Sequence, residues 1–78
     1  MELITIPLNN LKKYRQEKNY SLKDMADRLG ISKTFYFQIE NGYRNLSYGN
    51  ALKIALILET TTDILFRNEY ISMIKNKK

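Results

Sequence analysis

Two serines and two glycines cut residues 21–42, SLKDMADRLGISKTFYFQIENG, into a pair of short helices joined by a tight turn, and no other stretch constrains the chain as strongly. Ser21 is placed to cap the first helix by accepting a backbone N–H that lacks a partner inside it. Asp24, three residues on, completes an acidic variant of the capping box. Leu22, Met25, Ala26 and Leu29 recur at i, i+3, i+4 and i+7, which gives this helix one apolar face. Gly30 then stands where the chain must take a positive φ, Ile31 follows as a buried plug, and Ser32 caps the next helix. That second helix is expected from Lys33 to about Asn41, with Gly42 ending it as another left-handed glycine.

At about 100° per residue, Phe35, Tyr36 and Ile39 gather on one side of the second helix. Lys33, Thr34, Phe37, Gln38 and Asn41 share the other. The second side is expected to face outward. It is polar and cationic, its side chains are long enough to reach base edges, and it carries one phenylalanine that no core position explains.

The segments A-D-R-L-G at 26–30, I-S at 31–32 and Q-I-E-N-G at 38–42, with Leu52, Lys53, Ile54, Ala55 and the ending D-I-L-F at 63–66, resemble the Cro and lambda-repressor-like (XRE-type) family of small bacterial and phage repressors. The resemblance covers roughly residues 8–67. It implies an all-α bundle of five helices whose third enters the DNA major groove. It also implies an ion pair between Arg15 of the first helix and Glu40, and one local reason points the same way: Glu40 lies in the last helical turn, where the macrodipole disfavours an anion. The loop of Tyr43, Arg44, Asn45 and Leu46 is expected along the sugar-phosphate backbone. Leu22 departs from the family pattern, which often has a phosphate-binding glutamine there, so Lys23 and the backbone N–H groups beside it are left to serve. Glu59 likewise replaces a glycine typical of the family.

Seventy-eight residues suffice for one domain with a small core. A net charge of +5 favours a polyanionic partner. With no Cys and no His, thiolate and imidazole metal sites, disulfides, Cys nucleophiles and His general bases are excluded. The three glycines are isolated and form no phosphate-binding loop, so no cofactor, metal, small-molecule ligand or catalytic role is expected. Met1–Leu8 lacks the basic and apolar regions of a signal peptide, and the longest uncharged apolar run, Ile54–Leu58, is too short to span a bilayer. A cytoplasmic protein with no membrane association is the expectation.

The remaining elements follow in order. Residues 1–7 read as an arm, 8–67 as the helical core and 68–78 as a C-terminal extension. Asn9 or Asn10 is expected to cap a first helix running to about Lys18, with Leu8, Leu11 and Tyr14 inward, and Asn19 to close it in the left-handed conformation. Tyr20 is expected in the core. Ser47 caps a fourth helix to Leu58, apolar nearly all round, with Lys53 as its solvent-facing exception. Thr61 or Thr62 caps a fifth through Phe66, and Asn68–Lys78 is a candidate short sixth helix ending in a basic tail.

The function expected is that of a sequence-specific transcriptional regulator, most simply a repressor, bound as a homodimer to double-stranded DNA of two-fold related sequence. Lys33, Thr34, Phe37 and Gln38 are the base-reading candidates. Lys23, Ser32, Asn41, Arg44 and Asn45 are the phosphate-contacting ones. Leu56, Ile64, Leu65, Tyr70, Ile71 and Ile74 are assigned to a dimer interface, since a five-helix monomer leaves too much apolar surface there. The competing arrangement folds residues 68–74 back over Leu56 and Ile64 within one chain. The competing function is a protein-interaction module, such as an antitoxin or anti-repressor partner.

Overall fold

The computed structural model describes the backbone of residues 6–76 and the side chains of residues 6–69 and Ile71. Residues 1–5 of the expected arm at 1–7 and the last two lysines of the tail lie outside the described residues. Among the described residues five helices follow one another: α1 (Asn9–Glu17), α2 (Leu22–Leu29), α3 (Lys33–Glu40), α4 (Tyr48–Ile57) and α5 (Thr62–Asn76). This is the expected all-α bundle, and its core is drawn from every helix: Leu11, Met25, Ala26, Leu29, Tyr36, Ile39, Ala51, Ile54, Ala55, Leu65 and Phe66, closed by Leu8, Leu46 and Leu58. Helix α2 packs on α3 and α4, and α1 packs on α3 and α5.

Local chemistry sets most of the helix ends. Ser21 Oγ accepts from the Asp24 N–H at 3.0 Å while the Ser21 N–H donates to Asp24 Oδ2 at 2.9 Å, so the capping box is complete. The Ser21 N–H foremost, with the Ser21 side chain second, holds the Asp24 carboxyl below its ordinary pKa. Ser32, Ser47 and Thr61 cap α3, α4 and α5 in the same way through Phe35, Asn50 and Ile64. Gly30 and Gly42 take φ of +75° and +79°, and Asn19 and Glu59 reach the same region at +61° and +57° without the freedom of glycine. Lys18 Nζ bonds Glu59 Oε1 at 2.7 Å, so the ends of α1 and α4 are linked across the surface.

Several expectations are corrected. Neither Asn9 nor Asn10 caps α1: Leu8 holds the cap position with no side-chain bond, because its N–H donates to the Glu40 carbonyl at 2.9 Å and its side chain is buried. Asn10 instead sends Nδ2 to the carbonyls of Ile64 at 2.7 Å and Leu65 at 3.3 Å, tying α1 to α5. Tyr20 is half-buried rather than core, its ring covered by the Arg28 guanidinium at 4.3 Å. Lys53 is not the lone outward side chain of α4, since Tyr48, Leu52 and Leu56 are exposed with it. No sixth helix forms: α5 continues unbroken to Asn76, as residues 62–76 contain no glycine or proline to stop it. Leu46, placed in the loop expected along the sugar-phosphate backbone, is buried. Gly49 has open space where a Cβ would stand, and nothing in the structure requires glycine there.

Gly42 is required twice over. Besides its positive φ, a Cβ there would lie 2.6 Å from the Ile6 carbonyl carbon and 2.7 Å from Pro7 N, where the chain entering α1 crosses the end of α3. Gly42→Ala is therefore expected to destabilise the fold by at least about 2 kcal/mol, from backbone strain and steric displacement together. Urea unfolding of the variant beside the wild type checks this, and a shift no larger than that of an exposed surface substitution contradicts it.

Candidate nucleic-acid interface

Helix α3 is mounted on a buried polar network. Arg15 reaches from α1 with Nε 2.8 Å from Glu40 Oε2 and Nη2 3.0 Å from Glu40 Oε1, a two-pronged pairing of guanidinium and carboxylate. Its Nη1 donates to the Tyr20 carbonyl at 2.8 Å, and the Tyr36 hydroxyl donates to Glu40 Oε2 at 2.8 Å. The two charged side chains are 9% and 3% exposed, so neither has water to fall back on. The hydrogen bond to Glu40 drives the Arg15 pKa upward against the opposing effect of burial. Burial, followed by the Glu40 charge, drives the Tyr36 phenol upward as well.

With Tyr36 and Ile39 fully buried and Phe35 half-buried against the core, the opposite face of α3 is turned to solvent. Lys33, Thr34 and Phe37 are exposed there, and Gln38 and Asn41 are half-buried. The one acidic residue of α3 is the buried Glu40, so the outward face carries no anion. Phe37 is 43% exposed and pairs with Tyr43, itself 75% exposed, at 6.3 Å between ring centres and a tilt of 55°. Arg44 folds over α3: its Nε donates to Gln38 Oε1 at 3.0 Å, and its guanidinium carbon lies 4.7 Å from the centre of the Phe35 ring.

The phosphate candidates are more scattered. Ser32 Oγ accepts the Phe35 N–H, and Asn41 Nδ2 donates to the Phe37 carbonyl at 2.9 Å, so both serve α3 itself. Asn45 is exposed on the loop. Lys23 pairs with Asp27 at 2.8 Å one turn along α2, a surface contact worth little and readily exchanged.

Of the residues assigned to a dimer interface, Leu65 must be withdrawn. It is fully buried beside Phe66 on the inward face of α5, where it packs within its own chain. Leu56 is 78% exposed, and Ile64 and Ile71 are exposed too. The side chains of Tyr70 and Ile74 lie outside the described residues. Residues 68–74 do not fold back over Leu56 and Ile64, since they continue the line of α5.

Residues 11–65 match the sequence pattern of the helix-turn-helix family. The chain belongs to that family. Its members here are XRE-type transcriptional regulators, and they include the uncharacterized HTH-type transcriptional regulator YqaE of Bacillus subtilis (strain 168), 38% identical over 60 residues that span 77% of this chain and 52% of YqaE. The chain is also similar to the control protein C.MunI of Mycoplasma sp, 42% identical over 59 residues, 74% of this chain and 80% of that protein. Among solved structures, the master regulator for biofilm formation SinR in complex with DNA is similar at a TM-score of 0.67 and 30% identity, covering 74% of this chain and 94% of that one. The chain thus spans about half the length of YqaE and most of C.MunI. No described helix of this helix-turn-helix protein is long and apolar enough to cross a membrane.

Sequence reasoning missed Tyr36 as the third member of the Arg15–Glu40 network, though its position four residues before Glu40 places the two side chains one helical turn apart. It also missed Tyr43 beside Phe37 and the contact of Arg44 with Gln38, for which the sequence carries no signal.

Arg15→Ala is expected to lower stability by about 3–5 kcal/mol, because the Glu40 charge would remain buried without its cation. Tyr36 adds a pH dependence of known sign. Its raised pKa keeps the folded phenol protonated, so its contribution is complete below about pH 10 and is lost as the unfolded tyrosine ionises above that. Tyr36→Phe should flatten the alkaline decline in unfolding free energy while costing about 1–3 kcal/mol at neutral pH. Denaturant midpoints of both variants between pH 7 and about pH 11 test the pair of expectations.

Proposed function

We propose that the chain is a sequence-specific DNA-binding transcriptional regulator, acting most simply as a repressor, with α3 in the major groove. The observation that carries this reading is the anion-free outward face of α3, held rigid from behind by the buried Arg15–Glu40–Tyr36 network. Lys33, Thr34, Phe37 and Gln38 read bases. Lysine matches guanine O6 and N7, glutamine matches adenine N6 and N7, and Phe37 with the Thr34 methyl suits the thymine methyl. Lys23, Ser32, Asn41, Arg44 and Asn45 contact phosphates, Lys23 by giving up Asp27 and Ser32 through its free hydroxyl proton. The complex of SinR with DNA and the regulatory names of the relatives support the same assignment.

The 78 residues act as one cytoplasmic domain that binds rather than catalyses, and they bind as a homodimer. Leu56, Ile64 and Ile71, joined by Leu52, form the apolar surface that a second copy covers. Two-fold symmetry then sets two copies of α3 about 34 Å apart, one turn of the duplex.

Affinity for duplex DNA is expected to fall with salt, log K against log [salt] having a slope of about −0.9 per phosphate neutralised. Lys33→Ala should cost about 1–3 kcal/mol at one base pair and leave binding to unrelated duplex nearly unchanged. A flat salt response rules the reading out. For the dimer, sedimentation at micromolar concentration should find the wild type dimeric and a variant carrying Leu56→Lys and Ile64→Lys monomeric with weakened operator binding. If both run as monomers and bind DNA equally, this interface does not exist.

A further inference from the structure

Arg44 sits on a loop, yet its side chain is committed to α3. Nε–H donates to Gln38 Oε1 at 3.0 Å, and the guanidinium plane lies over Phe35, which is itself packed against the core. A chain of contacts therefore runs from the core through Phe35 and Arg44 to the amide of Gln38. A free glutamine amide is nearly symmetric about its last torsion and can turn either its oxygen or its nitrogen outward. Arginine has donors only, so a flipped amide would set N–H against N–H. With Arg44 in place, the oxygen of Gln38 is held on the Arg44 side and the NH2 group on the other.

We propose that Arg44 is a positioning residue for base recognition, fixing the Gln38 amide in the single orientation that pairs with the N6 and N7 edge of adenine. The inference rests on the reading of α3 as the recognition helix. Adenine offers a donor at N6 and an acceptor at N7 side by side, whereas guanine offers two acceptors, O6 and N7. An unpinned glutamine can turn both N–H groups to guanine. A pinned one cannot, since Oε1 has one lone pair on Arg44 and the other left for the N6–H donor of adenine. Arg44 uses one of its five N–H groups for this, and the other four form no further hydrogen bond among the described residues. It can thus contact a phosphate at the same time. Its stacking over Phe35 and its fixed fork are properties a lysine lacks, which separates positioning from charge.

The test uses the full chain and the duplex it selects from random sequence. Wild type, Arg44→Lys, Gln38→Ala and the double variant compete for duplexes changed at one base pair at a time, with thermal unfolding measured alongside. At the pair where Gln38→Ala loses discrimination, the wild type should prefer adenine over guanine by about tenfold. Arg44→Lys should lose most of that preference there and keep it elsewhere. The preference is read as the ratio between adenine and guanine duplexes, so any uniform loss through the phosphate contact of Arg44 cancels, and the variant should unfold at the wild-type temperature. In the Gln38→Ala background, Arg44→Lys should change no preference further. If Arg44→Lys retains the full preference, however much it weakens binding to all duplexes, or acts independently of Gln38, the positioning role is overturned and Arg44 is a phosphate contact only. If Gln38→Ala loses discrimination at no pair, the pin has nothing to orient and the inference fails while DNA binding stands. If the wild type selects no sequence at all, the recognition reading itself fails and takes the inference with it.

Discussion

A carboxylate at the end of a helix and out of reach of water would unfold most domains of this size unless something answered it. Glu40 is such a group, and the chain answers with three donors from two directions: two from Arg15 on α1 and one from Tyr36 a turn earlier on α3. Replacing the whole arrangement by apolar side chains would not weaken the fold by any necessity. What the network does is specify. Only one placement of α1 against α3 brings both prongs of the guanidinium onto the carboxylate, and Arg15 further anchors the Tyr20 carbonyl just ahead of α2. Helices α1, α2 and α3 are therefore fixed to one another by a single buried side chain.

Around that fixed point the turn between α2 and α3 is set by short-range chemistry. Gly30 releases the chain from α2 at positive φ, and Ser32 two residues later supplies the acceptor that starts α3. Each device is local, and so each orients the outward face of α3 without help from distant residues. The N–H of Leu8 on the Glu40 carbonyl adds a second brace, this time from the segment that enters α1.

That division explains what was legible in the sequence. The caps at Ser21, Ser32 and Ser47, the left-handed Asn19, and the two faces of α3 could all be read because each depends on residue type and spacing along one helix. Leu65 could not be sorted from Ile64 by pattern, because α5 is apolar on more than one side and only packing shows which side is covered. Asn10 looked like a cap and proved to be a tie to α5, a bond across 54 residues for which no local rule exists. Arg44 was read as a charge near phosphate, while its direction over Phe35 and onto Gln38 depends on how the loop after Gly42 closes. The places of these residues on α3 and the loop after it were thus visible, and the contacts among them were not.

Helix α5 has a mechanical consequence of its own. At 1.5 Å per residue its 15 residues make a rod about 22 Å long, clamped at one end where Asn10 grips the Ile64 and Leu65 carbonyls. A tilt of about 5° at the clamp displaces the far end by about 2 Å over that length. Asn10, a side chain on α1, is the fulcrum of that movement, so the two carbonyls it holds set the direction in which α5 leaves the bundle.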